Sequence, residues 1–189
     1  MKDKIQNYIM KIENIIPNQL CDQVVGNISK LKSWYQHTYY SADGKLTPVK
    51  RAGKNELWCT QWQNELNTKL EKIAVESAKV YLDYYKFDWF NALEKLTKIR
   101  YNRYASKQEM KLHCDHIKTI FDGEIKGVPI LSIIGNLNDN YEGGQFIMDK
   151  EEIFLKKGDI LIFPSNFLYP HKVKPIKKGK RYSFVSWAF

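Results

Sequence analysis

VPILSIIGNLNDNYEGGQFIMDKEEIFLKKGDILIFPS, residues 128–165, alternates short apolar runs with turn residues. Its runs VPILSIIGNLN, GQFIMD, EEIFL and DILIFPS are rich in β-branched and aromatic side chains, the composition of half-buried strands. Asn138-Asp139-Asn140 and Gly143-Gly144 separate the first two runs, and Lys157-Gly158-Asp159 the last two. Outward from this stretch the pattern repeats: KIRYNRY (98–104) precedes it, HKVKPI (171–176) and RYSFVSWAF (181–189) follow, and Lys178-Gly179-Lys180 supplies another turn. Short strands without helical crossovers predict an antiparallel sandwich or jelly roll rather than a parallel sheet.

Before Leu96 the period lengthens. Pro17 suits a first helical turn, and Leu20, Cys21, Val24, Val25, Ile28 and Leu31 then recur at helical spacing. A longer helix is expected from about Gln61 to Lys86, where Trp62, Leu66, Leu70, Ile73, Ser77, Tyr81 and Tyr85 trace one face. Residues 39–57, YYSADGKLTPVKRAGKNEL, carry Gly, Pro and mixed charge without periodicity, as a lid loop with Arg51 and Trp58 beside it would. The chain therefore reads as mainly β, with a helical N-terminal layer and lid (1–95) braced on a jelly-roll core (96–189). With 189 residues, 43% of them hydrophobic, it is long enough for one sizeable core, so a single domain is expected.

Bulk properties narrow the class. No apolar run approaches the roughly 18 residues of a membrane span, and MKDKIQNYIM has no apolar block where a signal peptide needs one, so a cytoplasmic protein is expected, with no membrane partner. Cys21, Cys59 and Cys114 are scattered and form no CxxC pair. Asn27-Ile28-Ser29 is then a glycosylation sequon in form only. The net charge of +9 concentrates locally at Lys172, Lys174, Lys177, Lys178, Lys180 and Arg181. That block reads either as a solvated hairpin with one functional arginine or as a seat for nucleic-acid phosphates.

Chemistry concentrates in KLHCDHIK, residues 111–118. On a strand alternate side chains share a face, so His113 and Asp115 point together, while Cys114 and His116 point away. His171 is the other histidine of the β-rich half. Two imidazoles and a carboxylate, if they converge, form the facial triad that holds non-haem Fe(II) with positions left open. Cys114, without thiol partners, reads as a packed core residue; His37 and His116 read as surface or flanking residues, His116 able to orient Asp115 or touch substrate. Beyond His171 stand Arg181 and, on the same face, Ser183: a guanidinium fork and a hydroxyl suited to a carboxylate. Metal and clamp together suit a chelating keto acid.

These residues resemble the Fe(II)- and 2-oxoglutarate-dependent dioxygenases, in their prolyl 4-hydroxylase-like branch, which has bacterial and phage members. The resemblance rests on His113-Cys114-Asp115, the distal His171 and Arg181, together with Tyr104, Asn136-Leu137-Asn138, Glu142-Gly143-Gly144, Lys157-Gly158-Asp159 and Trp187. It covers residues 96–189; 1–95 match only in general style. It implies a double-stranded β-helix, with His113, Asp115 and His171 as iron ligands. Arg181 would pair with the distal carboxylate of 2-oxoglutarate, Tyr104 and Ser183 would hydrogen-bond it, and Trp187 would wall the pocket. The implied reaction hydroxylates an unactivated C–H bond with O2 as co-substrate, succinate and CO2 as co-products, and ascorbate as a reductant. A prolyl residue in a peptide or protein is the implied substrate. The retained Asp115 favours hydroxylation over halogenation, whose enzymes lack that carboxylate. The competing readings are a nucleobase oxygenase using the basic block, a cupin-like metal protein, and a non-catalytic β-sandwich that only binds.

Overall fold

The computed structural model describes residues 5–41, 49–51, 53–87, 93–115 and 127–189. Two antiparallel sheets face each other. The larger has seven strands in the spatial order Met10–Ile12, Ile160–Pro164, Leu131–Asn136, Arg181–Ala188, Arg100–Tyr104, Trp58–Thr60, Tyr35–Gln36. The smaller has four: Glu151–Ile153, Phe146–Met148, His171–Val173, Met110–His113. All seven strands expected from the sequence form, in the two-layer arrangement of a jelly roll.

Period-two alternation sorts the side chains of the large sheet between two cores. Tyr182, Phe184 and Ala188 on one strand, with Tyr101, Leu131, Ile133, Ile160 and Ile162, pack outward against the helices. Val185 and, partly buried, Trp187, with Tyr104, Ile134, Leu161 and Phe163, pack inward with Phe146, Met148 and Val173 of the small sheet. Helix α1 (Asn18–Ile28) buries Leu20, Cys21, Val24 and Ile28; helix α2 (Glu65–Tyr85) buries Leu70, Ala74, Ala78 and Tyr81. The Asn64 side chain caps α2 by accepting from the Asn67 N–H.

Two expectations need correction. The first 95 residues are not only helix and loop: Met10–Ile12, Tyr35–Gln36 and Trp58–Thr60 are short strands that extend the large sheet at both edges. They are too short for a period-two signal to stand out. Within 39–57, Tyr39–Ser41 pairs with Val49–Arg51 as an antiparallel hairpin rather than running as featureless loop; residues 42–48 and 52 lie outside the described residues.

Gly135 shows how tightly neighbouring strands of the large sheet pack. It lies opposite Phe184, and a Cβ there would come within 2.1 Å of the Phe184 ring. Gly135→Ala is expected to destabilise the fold by about 3 kcal/mol through overpacking, read as a lower urea midpoint, and Phe184→Leu in the same chain should restore part of the loss.

Candidate metal centre

His113 ends one strand of the small sheet and His171 opens its neighbour, and the two are register partners, which brings their ring centroids within 4.3 Å. Asp115 lies two residues on, beyond the strand end, and completes the trio from irregular backbone. One ligand atom from each of the three can be chosen so that all lie within 4.8 Å of one another. The Nδ1 of His113 lies 2.8 Å from the Lys111 carbonyl and that of His171 3.1 Å from the Tyr169 carbonyl. With Nδ1–H donating to those carbonyls, both Nε2 lone pairs are directed at the shared space. His113 Nε2 is buried without a hydrogen-bond partner. It is 3.4 Å from Asp115 Oδ1, and His171 Nε2 is 3.8 Å from the same oxygen.

The carboxylate is divided between two tasks. Its Oδ2 accepts from Ser132 Oγ at 2.7 Å and from Trp187 Nε1 at 2.9 Å, two residues that are register partners on adjacent strands. Its Oδ1 is left for the imidazoles. Burial opposes the Asp115 charge, but the contact with His113, the nearby His171 and the Ser132 hydroxyl outweigh it and hold the carboxyl well below its ordinary range. Burial pushes His171 down to about 4, against the pull of Asp115, so its imidazole is neutral at pH 7. A charged oxygen and imidazole lone pairs around an orphaned nitrogen fit a divalent first-row cation such as Fe(II).

That depressed value makes acid stability predictable. His171 takes up its proton only when the metal-free chain unfolds, so stability is full above the unfolded value near 6.5 and falls as pH drops towards 4. The loss attributable to this residue is on the order of 3 kcal/mol. Urea midpoints of the metal-free protein should decline between pH 6.5 and 4.5, and His171→Gln should flatten that decline.

A narrow cavity adjoins the triad, lined by Asp115 and His171, by the polar residues Arg100, Asn102, Tyr104, Arg181 and Ser183, and by the apolar Met110, Ile134, Phe146, Val173 and Val185. Arg181 is 2% exposed, and among the described residues no carboxylate is within ion-pair distance of it. Its Cζ lies 5.1 Å over the Tyr104 ring and its Nη1 donates to Ser183 Oγ at 3.4 Å. Asn138 fixes the backbone on both sides, accepting from the Tyr182 N–H at 2.7 Å and donating to the Lys180 carbonyl at 2.8 Å. Gly144, at φ +66°, lets the glycine turn close onto Ile176, where a Cβ would come within 2.4 Å of that side chain. Burial raises the Tyr104 phenol to about 12 against the opposing Arg181 charge, so it keeps its proton.

Some sequence readings change. Cys114 is half-buried, its thiol 3.4 Å from the Phe167 carbonyl, and is not a core residue. His37 is no surface residue: it is buried, with Nδ1 3.4 Å from the fully buried Glu56. Trp187 meets the centre through its indole N–H on Asp115. His116 lies outside the described residues. In the basic block the lysines are exposed, with Lys174 and Lys178 each 3.6 Å from a glutamate, and only Arg181 turns inward. Missed entirely were Ser132, Asn102 and Arg100, polar residues on inward faces; Ser132 alone left a signal, as one hydroxyl in an otherwise apolar run.

A keto acid joined to an iron centre defines a class of oxygenases that this arrangement suits, and comparison with known proteins makes the assignment specific. Residues 99–189 match the family model of the 2OG-Fe(II) oxygenase superfamily. A PKHD-type hydroxylase of Idiomarina loihiensis is 26% identical over 98 residues, covering 50% of this chain and 43% of the relative. One of Prochlorococcus marinus is 40% identical over 63 residues, 30% of this chain and 28% of the relative. The chain spans under half the length of these curated relatives. Among solved structures, the viral collagen prolyl hydroxylase of Paramecium bursaria Chlorella virus-1, in its 2OG complex, superposes with TM-score 0.68 at 15% identity, covering 96% of this chain and 94% of that one. A Trichoplax adhaerens prolyl hydroxylase, in complex with a hypoxia inducible factor peptide, gives TM-score 0.71 at 17% identity, covering 97% and 84%. At these identities the likeness is one of fold. Residues 99–189 belong to the 2OG-Fe(II) oxygenase superfamily, and their His113–Asp115–His171 site supports Fe(II) and 2-oxoglutarate as cofactors. Among the described residues no helix is long and apolar enough to cross a membrane.

Proposed function

We propose that the chain hydroxylates an unactivated C–H bond of a prolyl residue in a peptide or protein. The observation that carries this reading is a largely buried His113–Asp115–His171 centre whose Asp115 and His171 line one cavity with a buried Arg181 that, among the described residues, has no carboxylate within ion-pair distance. His113, Asp115 and His171 would hold Fe(II), and Arg181 the distal carboxylate of 2-oxoglutarate, with Ser183 and the protonated Tyr104 beside it. The loaded centre supplies O2-dependent oxidation of a C–H bond, coupled to conversion of 2-oxoglutarate to succinate and CO2.

The chain's own residues set the conditions. Ser132 and Trp187 anchor Oδ2 and thereby aim Oδ1 at the centre. The carbonyls of Lys111 and Tyr169 fix the imidazole tautomers. Phe146 stacks on His171 at 5.3 Å and Phe163 meets its edge at 5.0 Å, which keeps water from the buried side of the ring. Substrate choice draws support from the prolyl hydroxylases among the structural neighbours, one of them solved with a peptide.

The test is substrate-dependent succinate release with Fe(II) and 2-oxoglutarate, using proline-containing peptides and single-stranded oligonucleotides in parallel. Release with peptides supports the proposal. Release only with oligonucleotides, steeply weakened by salt, would move the substrate to nucleic acid.

A further inference from the structure

Arg100 is a second cation in the same cavity that no role described so far employs. It stands four residues before Tyr104 on one strand, on the same inward face, and is the register partner of Val185. Tyr104 is the partner of Arg181, so the two arginines mark positions about 13 Å apart along the paired strands. Both line the cavity, as do Asp115 and His171. Arg100 Cζ sits 4.8 Å over the Trp187 ring, the indole whose N–H holds Asp115. This stacking fixes the guanidinium beside the metal end of the cavity, as Tyr104 fixes Arg181 at the far end.

What Arg100 lacks is an acceptor. Its Nε is buried without a hydrogen-bond partner, and among the described residues no carboxylate lies within ion-pair distance of it. Asp115 cannot serve: Oδ2 is taken by Ser132 and Trp187, and Oδ1 faces the imidazoles. The buried Glu56 is engaged by His37. A half-buried fork with a free inner N–H is matched by a planar carboxylate, which accepts two parallel bonds.

We propose that Arg100 is the second carboxylate anchor of the co-substrate cavity, holding the carboxylate next to the keto group while Arg181 holds the distal one. A dicarboxylic keto acid has an anion at each end; the cavity has a guanidinium towards each. This rests on the reading of the cavity as the 2-oxoglutarate site, and it adds a contact at the metal end. The side chain thereby fixes which oxygens of the keto acid face the centre, and it neutralises a charge that would otherwise sit beside Asp115.

The experiment is calorimetric titration of the Mn(II)-loaded protein, in which no turnover occurs, with 2-oxoglutarate and with 2-oxobutanoate, a keto acid that lacks the distal carboxylate. Arg100→Gln should weaken both ligands by the same factor, about 10- to 100-fold, the worth of a charge-assisted hydrogen bond. Arg100→Lys, which keeps the charge and loses the fork, should fall between, and guards against a misfolded glutamine variant. Arg181→Met should weaken only 2-oxoglutarate. Unchanged 2-oxoglutarate affinity in Arg100→Gln, with or without a raised KM for peptide, overturns the assignment of Arg100 alone. Failure of the unsubstituted Mn(II) protein to bind 2-oxoglutarate overturns it together with the proposed function.

Discussion

Asp115→Asn should lose hydroxylation and metal affinity by more than about 100-fold while the fold persists, a larger effect than loss of an outer hydrogen bond to a ligand. The substitution preserves volume, so the reason is chemical. Ser132 and Trp187 both donate to Oδ2. An asparagine side chain satisfies them with its carbonyl oxygen, which turns its NH2 towards His113 and His171. Two hydrogens then point into the space where the cation belongs, and the ligand charge is gone. The metal-free variant should melt no lower than the metal-free parent, since the amide donates to an imidazole nitrogen that is otherwise orphaned. Added Mn(II) should raise the melting temperature of the parent and leave that of the variant unchanged.

Arg181→Met should move stability and ligand affinity in opposite directions. A guanidinium 2% exposed, with no carboxylate partner among the described residues, costs desolvation free energy that the Tyr104 ring and one long hydrogen bond to Ser183 return only in part. Methionine fills much of the same volume without charge, so the ligand-free protein should gain about 1 kcal/mol or more. Removing one partner of a buried, hydrogen-bonded charge pair costs roughly 2–5 kcal/mol. Affinity for 2-oxoglutarate should therefore fall by about 30-fold or more, and the melting shift that the co-substrate gives the parent should disappear. Loss of both stability and affinity would instead make Arg181 a structural residue.

The β half was legible because its signals are local. Alternating apolar residues and glycine turns mark each strand of 128–165, and the order His113, Asp115, His171, Arg181 survives any uncertainty about register. His113 and His171 meet because their strands are neighbours, a pairing that no single run of sequence specifies. Asp115 reached the centre by a different route from the one expected, since the strand stops at His113. Strands of two or three residues, such as Tyr35–Gln36 and Trp58–Thr60, take their structure from the sheet edge they join rather than from their own composition. His37 read as a surface or flanking residue because only tertiary folding buries it beside Glu56. Arg100 carried no signal either: its unpaired N–H exists only once Trp187 and the cavity are in place.

The most direct test counts product. Protein, Fe(II), 2-oxoglutarate and O2 are incubated with a proline-containing peptide, and succinate released is compared with peptide gaining one oxygen atom. Equal amounts of both are expected, falling together in Asp115→Asn. Oxygenated peptide formed undiminished by Asp115→Asn, or no succinate with any substrate, would contradict it.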